Sequence, residues 1–198
     1  MLIGISLGPG DPDLLTLKAA AALRSCSRVF VPGGMASDLV RPYCQPELLD
    51  FPMIHDQEEL ERIWKKNAAI VAEAASSASA AFACIGDVNT FSTFSHLERM
   101  IRDNYQGIEI QTIPGVGVVP ALASRFPAPL EGSFLVSDGS PMDTVIRIKA
   151  TRPRKLAEEL QEKGFEEFVL GRMPVSYTHL RAHETVLELV CRLLLGKK

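Results

Sequence analysis

Short apolar and β-branched runs alternate along the chain with longer stretches in which apolar residues recur every three or four positions. "LIGISL", from Leu2, predicts a strand and Leu14 to Ser25 a helix; "RVFV" predicts a second strand, Met35 to Tyr43 a second helix, and "ELLDF" a further short run. Gln57 to Ser76 reads as a long helix with Leu60, Trp64, Ala68 and Val71 at helical spacing, followed by strand "AAFACI", helix Phe91 to Arg102 and strand "IEIQTI". Alternation of this kind predicts an α/β fold with a mostly parallel sheet covered on both faces. After "PGVGVV" a helix runs to Ser124, and the rhythm then changes to "SFLVSD", "TVIRIKA", a helix from Pro153 to Lys163, and "EEFVL". This predicts a second, smaller α/β lobe, with the joint near Ile113 to Val116.

Ligands of open parallel sheets gather outside the carboxyl ends of the strands. Three loops take that position: the opening turn in "SLGPGDPDLLTLKAA" (Ser6 to Ala20), "GDVNTFSTF" after "AAFACI", and "PGVGVV" after "IEIQTI". The opening turn is a poor phosphate loop. A dinucleotide fingerprint wants a third glycine where Asp13 stands, and a nucleotide P-loop wants Gly-Lys-Ser or Gly-Lys-Thr where the turn has Asp11 and Pro12. Its glycines either make a plain tight turn before a helix begun by Pro12 or Asp13, or bring backbone close to a ligand without phosphate. In the second loop Asp87, Thr90, Ser92 and Thr93 are helix-capping residue types. Equally, Asp87 suits a ligand's ribose or amino group, with Gly86 leaving room for a planar base. Pro114, Gly115 and Gly117 suit either a hinge or a ligand-facing turn.

Composition removes several classes. The 198 residues are 46% hydrophobic and 23% charged with a formal net charge of -3, which suits a globular protein and argues against nucleic acid as the main partner. Cys26, Cys44, Cys84 and Cys191 are scattered without Cys-x-x-Cys spacing, so neither a zinc site nor a disulfide framework is expected. "MLIGISLG" lacks the basic start and the length of a secretory signal, and no run approaches a membrane span, so a cytoplasmic location is expected. Trp64 lies on an apolar helical stripe and is expected to pack in the core.

Taken together, "GPGDPDLLTLKA", "GDVNTFSTF" and "TIPGV" resemble the tetrapyrrole methylase family over Met1 to about Met173. Within that family "VFVPG", "LLDFPM" and "GDVNTFSTFSHL" are similar to the precorrin-2 or cobalt-factor II C(20)-methyltransferases of cobalamin synthesis. Uroporphyrinogen-III methylases would show Gly-Gly-Asp-Pro where this chain has Ile85, Gly86, Asp87 and Val88.

The resemblance implies a two-lobed, usually dimeric α/β fold that methylates a tetrapyrrole with S-adenosylmethionine. It implies cofactor contacts at Pro9, Ile85, Gly86, Asp87, Thr90, Gly117 and Val118, to which the loop pattern adds Ser92 and Thr93. Lys149 stands where the family often adds a second-lobe contact. Arg41 and Arg147 are candidates for the substrate's carboxylates. No resident metal is implied, and the catalytic base is left unassigned. Methylation of another position, as in uroporphyrinogen III, and a binding fragment without activity are the alternatives.

His179 and His183 have metal-ligand spacing, but a zincin places its glutamate between the histidines, and Glu184 follows them. The stretch from about Val175, "VSYTHLRAHET" and "LVCRLLL", resembles a translated sequencing-library adapter. The chain is therefore expected to comprise an N-terminal lobe over 1–113, a partial second lobe over 114–174, and a foreign tail over 175–198. On that reading His179, His183 and Cys191 carry no functional weight, and the second lobe is truncated.

Overall fold

The strand Ala80–Cys84 is apolar at every position and buried at every position, as expected for a central strand covered on both faces. In the computed structural model, which describes residues 1–54, 56–125, 132–136, 144–147, 155, 158–159, 161–162, 167–172 and 189–194, this strand is β4 of a five-stranded sheet. Its companions are β1 (Leu2–Ser6), β2 (Arg28–Val31), β3 (Glu47–Leu48) and β5 (Ile110–Ile113). The order is β3-β2-β4-β1-β5 and every pairing is parallel.

Helices cover both faces. Phe82, Cys84, Leu2 and Phe30 point to one side, where they pack with Ala68, Val71 and Ala75 of α3 (Gln57–Ser77) and Phe94, Leu97 and Ile101 of α4 (Thr93–Asn104). Ala81, Ala83, Ile5, Val29 and Val31 point to the other, against Ala19 and Leu23 of α1 (Leu17–Ser25) and Ala36 and Val40 of α2 (Gly34–Val40). Trp64 is half-buried at the margin of the first cluster, a packing residue as its spacing predicts. Among the described residues no buried side-chain polar atom lacks a hydrogen-bond partner, and no helix is long and apolar enough to cross a membrane.

The first helix starts later than its apolar period predicts. Pro12–Leu14 forms a separate 3-10 turn capped by Asp11, whose Oδ1 accepts from Asp13 N–H at 3.0 Å. Thr16 then opens α1, its Oγ1 accepting from Ala19 N–H at 3.1 Å. Side-chain capping at two successive starts outweighs the leucine periodicity. Likewise α4 begins at Thr93 instead of Phe91, because Ser92 is the cap. The run "ELLDF" contributes only Glu47 and Leu48 to the sheet.

The chain divides into two compact units, Met1–Glu131 and Gly132–Lys198. The helix α5 (Val118–Arg125) completes the first. In the second, β6 (Thr144–Arg147) and β7 (Glu167–Arg172) flank β8 (Leu189–Leu194) in an antiparallel sheet of order β6-β8-β7. Leu189–Leu194 lies inside the stretch set apart from Val175 onward. The expected strand "SFLVSD" is not one over its described part: Ser133 to Val136 have no place in either sheet, and a short apolar run without a neighbouring strand has no ladder to join. Lys149, His179 and His183 lie outside the described residues.

Candidate active site at the strand carboxyl ends

The sheet reverses its direction of winding between β1 and β4. From β1 the chain moves across β4 to β2 and on to β3; from β4 it moves the other way across β1 to β5. Adjacent strands whose connections depart in opposite directions leave a crevice beyond their carboxyl ends. The first loop (Leu7 to Thr16) and the second (Ile85 to Ser92) leave the sheet at that point, and the third (Pro114 to Gly117) leaves β5 beside it.

Direct hydrogen bonds join the first two loops. Gly8 and Gly86 form an antiparallel bridge, with Gly86 N–H donating to Gly8 C=O at 2.7 Å and Gly8 N–H to Gly86 C=O at 3.2 Å. Both have positive φ, +76° and +82°, a conformation that side chains with a Cβ disfavour. Pro9 is held between Gly8 and Gly10, and it is half-buried.

Asp87 lies where all three loops meet. Its Oδ2 accepts from Gly115 N–H at 2.9 Å and from the Ser6 hydroxyl at 3.3 Å, and its Oδ1 accepts from Asn89 N–H at 2.9 Å. Ser6 is fully buried, and its Oγ in turn accepts from Val88 N–H at 3.0 Å. The third loop approaches so closely that a Cβ on Gly115 would stand 2.5 Å from the Ser6 Cβ, so only glycine fits there.

Gly8 is also crowded, by the Leu14 carbonyl at 3.1 Å from a Cβ, but three other glycines behave differently. At Gly10, Gly86 and Gly117 a Cβ would meet nothing within 4 Å. One glycine in each loop therefore opens its backbone to free space, while Gly115 is consumed by packing. A ligand with its own hydrogen-bonding edge, such as a nucleoside, fits a wall of accessible peptide groups of this kind.

The other expected site residues are distributed around this centre. Ile85 packs partly into the core beside α1 and α2. Thr90 is exposed, its N–H donating to the Asp87 carbonyl at 3.1 Å. The Ser92 hydroxyl accepts from Phe94 N–H at 3.1 Å and lies 3.1 Å from the Cys84 sulfur, so it serves the helix start. Burial pushes the Cys84 thiol pKa up, against the lowering effect of that Ser92 contact. Thr93 begins α4 and Val118 begins α5, with Val118 exposed. Arg41 lies past the far end of α2 from its loop and pairs with Asp38 at 3.2 Å. Arg147 belongs to the second unit.

Sequence reasoning missed two participants and one oddity. The sequence places Ser6 at the end of a strand and the start of the opening turn, and Gly115 in a hinge or ligand-facing turn, without showing that both are partners of Asp87. Phe91 sits in the second loop at φ +47°, the only described non-glycine residue with positive φ, and the residue is 68% exposed. In the sequence it stands between Thr90 and Ser92-Thr93, where the apolar period places the start of a helix.

Comparison with known proteins agrees with this architecture. The sequence model of the Tetrapyrrole (Corrin/Porphyrin) Methylases matches residues 1–195. A Methanocaldococcus jannaschii protein named "Probable cobalt-precorrin-2 C(20)-methyltransferase" is 27% identical over 189 residues, covering 85% of this chain and 79% of that protein. The cobalt-precorrin-2 C(20)-methyltransferase of Salmonella typhimurium is 38% identical over 78 residues, 34% of this chain and 33% of that protein. Among solved structures the methyltransferase CobJ superposes with a TM-score of 0.55 at 18% identity, covering 98% of this chain and 94% of that one; at this identity the likeness concerns the fold. With a family match over nearly its whole length and the loops of the first unit assembled at the sheet's switch point, the chain belongs to the tetrapyrrole methylases, S-adenosylmethionine-dependent C-methyltransferases.

Proposed function

We propose that this protein transfers a methyl group from S-adenosylmethionine to the C-20 meso carbon of precorrin-2 or cobalt-factor II, a step of corrin ring synthesis. The observation that carries the reading is the assembly of three loops around the switch point, each with a glycine backbone open to space. The names of the two C(20)-methyltransferase relatives support the position on the ring, as does Ile85-Gly86-Asp87-Val88 in the second loop.

When bound, the cofactor supplies an electrophilic methyl on a sulfonium centre. An electron-rich meso carbon needs little acid or base help to attack it, so the chain's contribution is chiefly positioning, which in well-oriented reactions reaches about 7–11 kcal/mol of the barrier. Backbone at Gly10, Gly86, Gly117 and Val118 would hold the nucleoside and amino-acid parts, with Pro9 limiting the space beside them. Four large apolar residues also stand exposed after the strand carboxyl ends: Leu17, Met35, Phe91 and Val118 follow four different strands and are 91%, 69%, 68% and 55% exposed. Large exposed side chains of this kind suit the flat apolar face of a macrocycle. The same reading includes a cytoplasmic location and a homodimer.

The test is methyl transfer from labelled S-adenosylmethionine, with precorrin-2, cobalt-factor II and uroporphyrinogen III offered separately. Label in either of the first two supports the reading; label in uroporphyrinogen III alone overturns the ring position. S-adenosylhomocysteine binding by calorimetry separates an inactive fragment, which gives no heat, from a cofactor-binding protein.

A further inference from the structure

Asp87 is the residue most readily taken for a cofactor ligand, being a carboxylate at the mouth of a glycine-lined cleft. Its hydrogen bonds point inward. One carboxylate accepts from Gly115 N–H, Asn89 N–H and the Ser6 hydroxyl, and so contacts β1, its own loop and the third loop at once. The Gly115 bond is the only one of these that reaches the third loop, and Gly117 and Val118 follow two and three residues later. Close approach without a stabilising bond would leave the Gly115 N–H desolvated beside Ser6, where a lost partner costs about 1–3 kcal/mol.

We propose that Asp87 is a positioning residue that acts through Gly115: it staples the third loop to the second loop and to the end of β1, so that the backbone at Gly117 and Val118 is already in place when S-adenosylmethionine arrives. The inference rests on reading the three loops as a cofactor cleft. It assigns the carboxylate a role distinct from touching the ligand, and it explains why the third loop carries a glycine at 115 that faces no open space. Pre-assembly of this kind lowers the ordering cost of binding.

Two experiments test it. In the unliganded wild-type protein, the Gly115 amide is expected to exchange with solvent slowly, as a bonded amide does; rapid exchange overturns the proposal without recourse to any variant. Calorimetry with S-adenosylhomocysteine then compares wild type, Asp87→Asn, Gly115→Ala and the double variant, each checked as folded by circular dichroism and measured well below its Tm. Asp87→Asn keeps the shape but turns an amide NH2 toward one of the two backbone donors, and Gly115→Ala drives a methyl into Ser6. Each is expected to weaken binding tenfold or more, and the double variant no more than the weaker-binding single, because both break the same tie. Losses that multiply mean that Asp87 contacts the ligand itself, and Asp87→Asn binding within twofold of wild type means that the staple is irrelevant; either result sinks the proposal. A wild-type protein that gives no heat removes the cofactor reading, a failure separate from the others.

Discussion

The indole of Trp64 and the imidazole of His96 lie stacked, with ring centroids 4.2 Å apart and planes 17° from parallel. The pair joins α3 to α4 on one face of the sheet. Burial, with a smaller effect from the Arg99 guanidinium, holds the His96 pKa below its ordinary 6.5. As pH falls the unfolded chain takes up this proton first, so the contribution to stability is complete above about pH 6.5 and declines through the lower folded pKa. Trp64 is the only tryptophan, and an imidazolium against its face quenches indole emission. Fluorescence is therefore expected to drop in a titration whose midpoint lies below 6.5, and His96→Phe is expected to abolish that titration while preserving the stack. An unchanged titration in His96→Phe would assign the signal elsewhere.

The same helix pair shows what the sequence made legible. Parallel strands buried on both faces announce themselves as continuous apolar runs, and "AAFACI" and "RVFV" did so; α3, with its long stripe from Leu60 to Val71, was bounded to within a residue. Helix starts were less readable, because Thr16 and Ser92 act through single hydrogen bonds that leucine periodicity does not register. The tie at the site was not readable at all. Ser6 and Asp87 are 81 positions apart and Asp87 and Gly115 are 28 apart, so their pairing exists only once β1, β4 and β5 are side by side. The glycines signalled close approach, but not whether a ligand or a neighbouring loop makes it.

Gly4 is a packing requirement of the central sheet. A Cβ there would lie 2.7 Å from both Cε1 and Cζ of the buried Phe94 ring. Gly4→Ala is expected to cost about 1–3 kcal/mol, the usual range for overpacking a core. Phe94→Leu removes the colliding edge, so the double variant should lose less stability than the two single losses added together. Urea unfolding of the four proteins measures the coupling; strict additivity would mean that the ring moves aside freely.

Cysteine reactivity should follow burial. Burial raises the thiol pKa at Cys26, Cys44 and Cys84, and Cys84 alone of these is fully inside the core. Thiolate is the reactive form. Site-resolved mass spectrometry after iodoacetamide treatment at pH 7.5 is expected to show slow alkylation of Cys26 and Cys44 and none at Cys84 until denaturant is added. Early modification of Cys84 would show that the β4 end and the Ser92 cap open readily.

Phe91 sets stability against function. A left-handed conformation costs a non-glycine residue about 1–2 kcal/mol, and a mostly exposed residue recovers little of that by burial. Strain without compensating contact inside the fold is a reason to look for contact outside it. Phe91→Gly removes the strain but loosens the unfolded chain, an offset of about 0.5–1 kcal/mol, so a gain of up to about 1 kcal/mol is expected, or about 2–4 °C in Tm. If the ring supports the tetrapyrrole as proposed, the same variant should lose about tenfold in kcat/KM for that substrate through KM, with S-adenosylhomocysteine affinity unchanged. Phe91→Asn distinguishes backbone from ring, since asparagine tolerates the left-handed conformation: it should match the glycine variant in activity loss. Full activity in both variants would reduce Phe91 to a strained loop residue, and a fall in Tm in both would show that the ring packs within the fold after all.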